Sequence, residues 1–276
     1  MNEFVMNNEI SIRLSIFFII FFLIAAWELI TPRRRLIVSK MVRWYSNLGI
    51  TFINSLLLRL LFPILGIGMA ILAQERNWGL FNNFELSRRV VVVISVIVLD
   101  FAIYLQHIMF HAVPALWRLH RMHHTDMDFD VTTGSRFHPV EIILSMIIKL
   151  AAVVVLGPPS LAVLTFEVIL NTTSMFNHGN IYIPAKIDHV LRWLIVTPDM
   201  HRVHHSIIHQ ETNSNFGFNL PWWDRLLGTY RDQPKSGHES MKIGIEAFRE
   251  PKYLNLHWLL IQPFLNNKNK DNDSIN

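Results

Sequence analysis

Cysteine is absent from all 276 residues. That excludes disulfides and thiolate ligands, so any bound metal must be held by nitrogen and oxygen. Charge is also sparse: charged residues are 17% of the chain, and the net charge is only +4. The basic residues flank apolar runs and form no separate basic domain, which argues against a nucleic-acid partner. The small positive balance suits an anionic membrane leaflet instead. No internal repeat is present. No fused electron-transfer module is visible: a His-Pro-Gly-Gly haem motif is missing, and His138-Pro139 continues as Val140-Glu141. The first apolar stretch does not read as a cleaved signal peptide. Acids Glu3 and Glu9 precede it, no small-residue cleavage site follows, and Pro32-Arg33-Arg34-Arg35 closes it.

Long apolar runs are what the chain does have. Hydrophobic residues make up 51% of it, enough to look for membrane spans. Residues 14–30, 51–73 and 90–111 approach or reach the roughly 20 apolar residues that a bilayer core requires. A fourth apolar region, 140–176, is broken by Gly157-Pro158-Pro159, which predicts a hairpin of short spans or a re-entrant element. The expected fold class is all-α: a helical membrane bundle of about four segments with a helical cap on the cytoplasmic side. Residues 32–47 carry Arg33, Arg34, Arg35, Lys40 and Arg43 without an acid, so that loop is expected in the cytoplasm. Asn180–Pro184 reads as a loop or short extended piece. Residues 266–273 form a polar tail expected to be disordered. The organisation expected is an N-terminal membrane region (1–90), a catalytic domain (91–232) and a C-terminal cytoplasmic segment (233–276).

Histidine carries the chemistry. Eight of the 14 histidines fall into three clusters: His107 with His111; His120, His123 and His124; and His201, His204 and His205. Imidazole is the commonest protein ligand for transition metals. One ion takes about four to six ligands, so eight nitrogens suggest two ions. His107 and His111 are four apart, one above the other on a helix face, which suits chelation of one ion. Pro114 suits the start of a helix carrying the second cluster. Neighbouring His123 and His124 differ by about 100° around a helix axis, so they should point to different metals, or at least to different sides of a metal pair. His204 and His205 repeat that geometry. A pH-sensing or basic patch is the competing reading, but three clusters at helical chelate spacing are hard to obtain without a metal. His178, following the apolar hairpin, is a candidate ninth ligand. His189, His238 and His257 read as ordinary.

Neutral imidazoles cancel none of the charge of two divalent ions. Nearby acids are therefore expected to balance it and to orient the rings through N–H bonds. Asp100, Asp126, Asp128, Asp130, Glu141 and Asp199 are the candidates; Asp100, Glu141 and Asp199, with His138, are the residues expected behind the ligands. Asp100 stands out because it lies inside an apolar helix, two turns before His107.

These residues resemble the fatty acid hydroxylase/sterol desaturase superfamily of integral-membrane proteins. The resemblance covers roughly 95–232. It rests on Asp100, Tyr104, His107 and His111; on the run from Leu116 to His124; on Arg136-Phe137-His138-Pro139; and on Asn177-His178-Gly179-Asn180. It continues through His201-Arg202-Val203-His204-His205, Asn215-Phe216-Gly217 and the segment 222–230. It implies two iron ions, dioxygen as co-substrate, and oxidation of an unactivated C–H bond in a membrane lipid. It also implies a separate electron donor of the cytochrome b5, ferredoxin or flavin type. Hydroxylation is the leading expectation, and desaturation is the nearest alternative. A histidine-rich metal-transport protein would spread its ligands across the membrane depth. The missing fused donor tips the expected location towards a bacterial inner membrane over endoplasmic reticulum.

Overall fold

The computed structural model describes residues 8–266. The tail expected to be disordered lies outside them from residue 267 onward. Seven helices build the body: α1 (Glu9–Ile30), α2 (Lys40–Leu61), α3 (Gly66–Glu75), α4 (Arg88–Ala112), α5 (Pro114–His124), α6 (Pro139–Leu156) and α7 (Ser160–Asn177). Shorter helices follow: α8 (Ala185–Leu191), α9 (Pro198–His204), α10 (Trp222–Leu226) and α11 (Leu256–Ile261). No strand occurs among the described residues, only single bridges at Pro32/Ile181 and Ser206/Ile243. The fold is therefore all-α, as expected, and 180–184 is a short extended piece. Four stretches are long and apolar enough to cross a membrane: Glu9–Ile30, Lys40–Asn82, Arg88–Ala112 and Pro139–Leu156.

Helix ends follow local chemistry. Ser39 and Ser87 cap α2 and α4 by accepting from the amides of Val42 and Val90. Pro114 and Pro139 occupy the first turns of α5 and α6, where a missing N–H costs nothing. One expectation needs correction. The apolar run 51–73 is not one helix. Pro63 lacks an N–H and its ring disfavours helix in the preceding residue, so α2 ends at Leu61 and α3 begins at Gly66. Helix α2 also starts at Lys40, inside the presumed basic loop, and Arg43 is wholly buried. Hydropathy missed this half of α2 because its buried face is mostly polar: Arg43, Ser46 and Asn47, with Ile50.

Burying apolar surface gives little drive between helices already in lipid, so close packing and polar contacts take over. Ala70 and Ala73 of α3 and Ala162 of α7 are fully buried, and Ile67, Leu99, Val153 and Phe166 fill the core they frame. On α7, Glu167 is buried and paired with Lys149 of α6 and with Arg13 of α1 at 2.8 Å. The α6–α7 break is a hairpin of two 18-residue helices. Gly157 turns it in the left-handed region at φ 63°, and Gly79 (φ 87°) packs against it. A Cβ on Gly79 would lie 2.3 Å from the Gly157 nitrogen, so only glycine fits. These two turns mark one end of the bundle. The end of α1, the start of α2, the end of α4, all of α5, the start of α6 and the end of α7 meet at the other.

Candidate metal centre

All three histidine clusters converge at that second end. The structure brings together all nine predicted histidines, in two groups. His107, His111, His120, His124 and His204 form one; His123, His178, His201 and His205 form the other. Within each group the ring nitrogens lie within 4.8 Å of one another. Sequence neighbours His123 and His124 fall in different groups, and so do His204 and His205. Eight of the nine are buried, and only His111 reaches the rim. The remaining histidines, His138, His189, His209, His238 and His257, lie outside both groups.

Hydrogen bonds fix the tautomers of most rings. His107 Nδ1–H donates to the Phe216 carbonyl at 2.7 Å, and His204 Nδ1–H to Ser214 O at 2.8 Å. His123 donates to Arg136 O at 3.1 Å and His178 to Ser174 O at 2.8 Å. His120 meets Glu141 at 2.6 Å, and His111 meets the Asn213 amide oxygen at 3.2 Å. A carbonyl can only accept, so the proton sits on Nδ1 and Nε2 of a neutral ring offers a bare lone pair. Yet Nε2 of His123 and Nε2 of His178 are 3.2 Å apart. Two lone pairs facing each other at that distance repel unless a cation lies between them. Two nitrogens at about 2.1 Å from one ion and at right angles would be roughly 3.0 Å apart. Both nitrogens of His124 and His205 are buried without a partner, as are His111 Nε2, His201 Nδ1 and His204 Nε2. The donor set therefore fits two metal ions of the type that accepts imidazole.

Electrostatics favour neutral, ligating rings. Burial pushes His178 and His204 down to about 3. It pushes His123, His124, His201 and His205 well below the ordinary histidine range, and neighbouring rings add to the effect. A proton is thus a poor occupant of this site.

Of the four residues expected behind the ligands, only Glu141 touches a ring. Asp100 bonds instead to Trp223 Nε1 (2.8 Å) and Leu220 N (3.3 Å). Seven residues along a helix are about 10 Å, too far for a direct bond to His107. His138 caps α6: its Nδ1 accepts from Val140 N at 3.2 Å and its Nε2–H donates to Leu260 O at 3.1 Å. Asp199 pairs with Arg33 and Arg202, which hold its carboxyl below the usual range against the effect of burial. Carboxylates are thus not the main ring orienters. Backbone carbonyls do that work, because a neutral acceptor adds no buried charge.

The residues that hold those carbonyls include Asp126 and Asp130, expected only to balance charge, and Arg43, expected only in a basic loop; their shared network was not expected. Arg43 grips Asp126 (2.6 and 2.9 Å) and Asp130 (2.5 Å), and Arg136 reaches Met122 O, Thr125 and Asn47. This network fixes loop 125–138, which presents Arg136 O to His123. Burial would raise Asp126, but Arg43 and Arg136 hold it at about 2. Asp224 takes the amides of Phe216 (2.8 Å) and Gly217 (2.9 Å), which fixes the carbonyl that receives His107. Burial raises its carboxyl to about 6. Arg43 lies far from the motifs in sequence. Read among the basic residues of 32–47, it carried no separate signal.

A multi-span helical bundle with nine clustered histidines at one end, eight of them buried, defines a class of membrane proteins whose side chains could hold metal. The sequence model of the family described as fatty acid hydroxylase matches residues 92–229, and the chain belongs to that family. Ornithine lipid hydroxylase OlsE of Rhizobium tropici is 30% identical over 154 residues, 56% of this chain and 45% of that protein. Human alkylglycerol monooxygenase is 27% identical over 165 residues, 58% of this chain and 35% of that protein. Cholesterol 25-hydroxylase of Mus musculus is 27% identical over 146 residues, 52% of this chain and 47% of that protein. The aligned regions thus span half or less of these relatives. No solved structure matches.

Proposed function

We propose that this chain is an oxygen-dependent lipid hydroxylase whose two histidine groups hold two iron ions. The observation that carries the reading is the opposed Nε2 pair of His123 and His178, in a nest of nine histidines, eight of them buried, beside apolar helices. The names of the relatives, all lipid hydroxylases or mono-oxygenases, support the reaction class. His107, His111, His120, His124 and His204 would hold one iron, and His123, His178, His201 and His205 the other. When bound, the two irons would supply activation of dioxygen for attack on a C–H bond. The balance is one C–H bond, one dioxygen, two electrons and two protons giving one alcohol and one water.

The chain's own residues hold the ligand rings and keep water out. Carbonyls of Phe216, Arg136, Ser174 and Ser214 keep the protons on Nδ1. Glu141 supplies a negative charge at His120. Phe137 stacks on His123 at 4.5 Å, and Phe216 and Phe218 lie against His107 at 5.5 and 5.1 Å, giving the site dry walls. The substrate is a membrane lipid. The electrons come from a separate protein of the cytochrome b5, ferredoxin or flavin type. The catalytic unit is 91–232, flanked by a membrane region (1–90) and a C-terminal segment (233–276). We place the metal end on the cytoplasmic side, in a bacterial inner membrane. Support comes from Arg33, Arg34 and Arg35, which follow α1 at the metal end of the bundle, as the positive-inside rule requires.

The test is expression with iron, followed by metal analysis and lipid mass spectrometry under ¹⁸O₂. Two irons per chain and one ¹⁸O in a cellular lipid are expected. Loss of two hydrogens without added oxygen would instead indicate a desaturase, and absence of stoichiometric metal would overturn the assignment.

A further inference from the structure

One exposed apolar face lies outside the four candidate spans. Helix α8, helix α10 and the residues after each present Val190, Trp193, Leu194, Leu226 and Leu227, all more than half exposed; Leu194 is 63% and Leu226 73% exposed. Trp222 Nε1–H donates to Trp193 O at 2.8 Å, which joins the two helices into one patch. Arg225 lies between the rings of Trp193 (3.9 Å) and Tyr230 (4.0 Å).

Two independent anchors bracket the depth of this patch. Tyr182 N–H donates to Thr31 O at 2.9 Å, so the chain enters α8 at the level where the α1 span ends at Ile30. At the other side, Trp223 Nε1–H donates to Asp100 at 2.8 Å, and its ring lies 4.7 Å from Phe101, midway along the α4 span. The patch is therefore continuous with the lipid-facing surface of the spans. Tryptophan, tyrosine and arginine around an aliphatic face are the composition of the membrane–water boundary, where amphipathic side chains keep one end apolar and one end wet.

We propose that the α8–α10 face is a lip immersed in the leaflet on the metal side, between the level of Trp223 midway along α4 and the headgroup boundary where α1 ends. The lip sets the depth of the histidine groups. His107 lies seven residues beyond Asp100, which puts the groups about 10 Å to the water side of the level of Trp223. A second copy of the chain is the rival occupant, but it would not account for two anchors at span level.

The absence of cysteine makes the test direct. Single-cysteine variants L194C and L226C of the full chain carry a nitroxide and are reconstituted in phosphatidylcholine–phosphatidylglycerol vesicles. Collision with oxygen and with a water-soluble nickel chelate is measured by power saturation. Phe22, exposed within the α1 span, serves as the lipid reference and exposed Lys242 as the water reference. Both lip labels are expected to meet oxygen several-fold more readily than nickel, as at Phe22. Nickel access equal to that at Lys242 overturns the proposal. Shielding from both reagents also overturns it, in favour of a protein-covered interface. V190C and L227C repeat the measurement should either first variant misfold.

Discussion

His123 and His178 point bare nitrogens at each other across 3.2 Å, each ring held from behind by a backbone carbonyl. They come from helix α5 and from the end of helix α7, 55 residues apart in sequence. In a buried site such an arrangement is stable only around a cation, so removing one partner should remove an ion.

His178→Ala is expected to lower bound metal from two ions per chain to one, because the first group keeps all five of its rings. Elemental analysis of purified protein checks it. His138→Ala, which removes a helix cap and not a ligand, should keep two ions and lose about 1 kcal/mol of stability.

Glu141→Gln keeps a hydrogen-bond acceptor for His120 but removes the charge. A partner behind a ligand typically contributes 10–100-fold in metal affinity. Chelator competition should show a loss in that range, with thermal stability of the metal-free chain little changed.

Arg43→Ala should be strongly destabilising, although Arg43 touches no histidine. It would leave Asp126 and Asp130 buried without their shared cation, and breaking a buried pair costs about 3–5 kcal/mol. Thermal unfolding in detergent measures the loss. Arg76→Ala, at an exposed turn, is the control expected to change nothing.

Acid should empty and loosen the site. An unfolded histidine titrates near about 6.5, whereas His178 and His204 stay neutral in the fold down to about 3. Between those values the unfolded chain binds more protons, so stability falls as pH drops from 6.5 towards 3. Above 6.5 these groups contribute no slope. Metal retention should fall over the same window, since ligation also requires neutral rings. Unfolding and metal content followed from pH 7.5 to 4 check both; a flat profile would contradict the burial of these rings.

The nature of the fold was legible in the sequence. Apolar runs as long as a bilayer and the scarcity of charge within them dictate membrane helices, because unpaired backbone groups cannot remain in hydrocarbon. The histidine spacing set the division of His123 from His124 and of His204 from His205, because helical geometry is local. Pro63 stops a helix by a purely local rule, but the hydropathy reading averaged across it. What surrounds the rings was decided only in three dimensions. That Phe216, Arg136, Ser174 and Ser214 would turn their carbonyls to histidines depends on loops, and every residue has a carbonyl, so composition carries no trace of it. That Asp100 would hold Trp223, and Asp199 its arginines, depends on which elements fold against each carboxylate. The chain determined by itself which atoms could bind metal; the packing of distant segments decided which way those atoms point and what keeps them there.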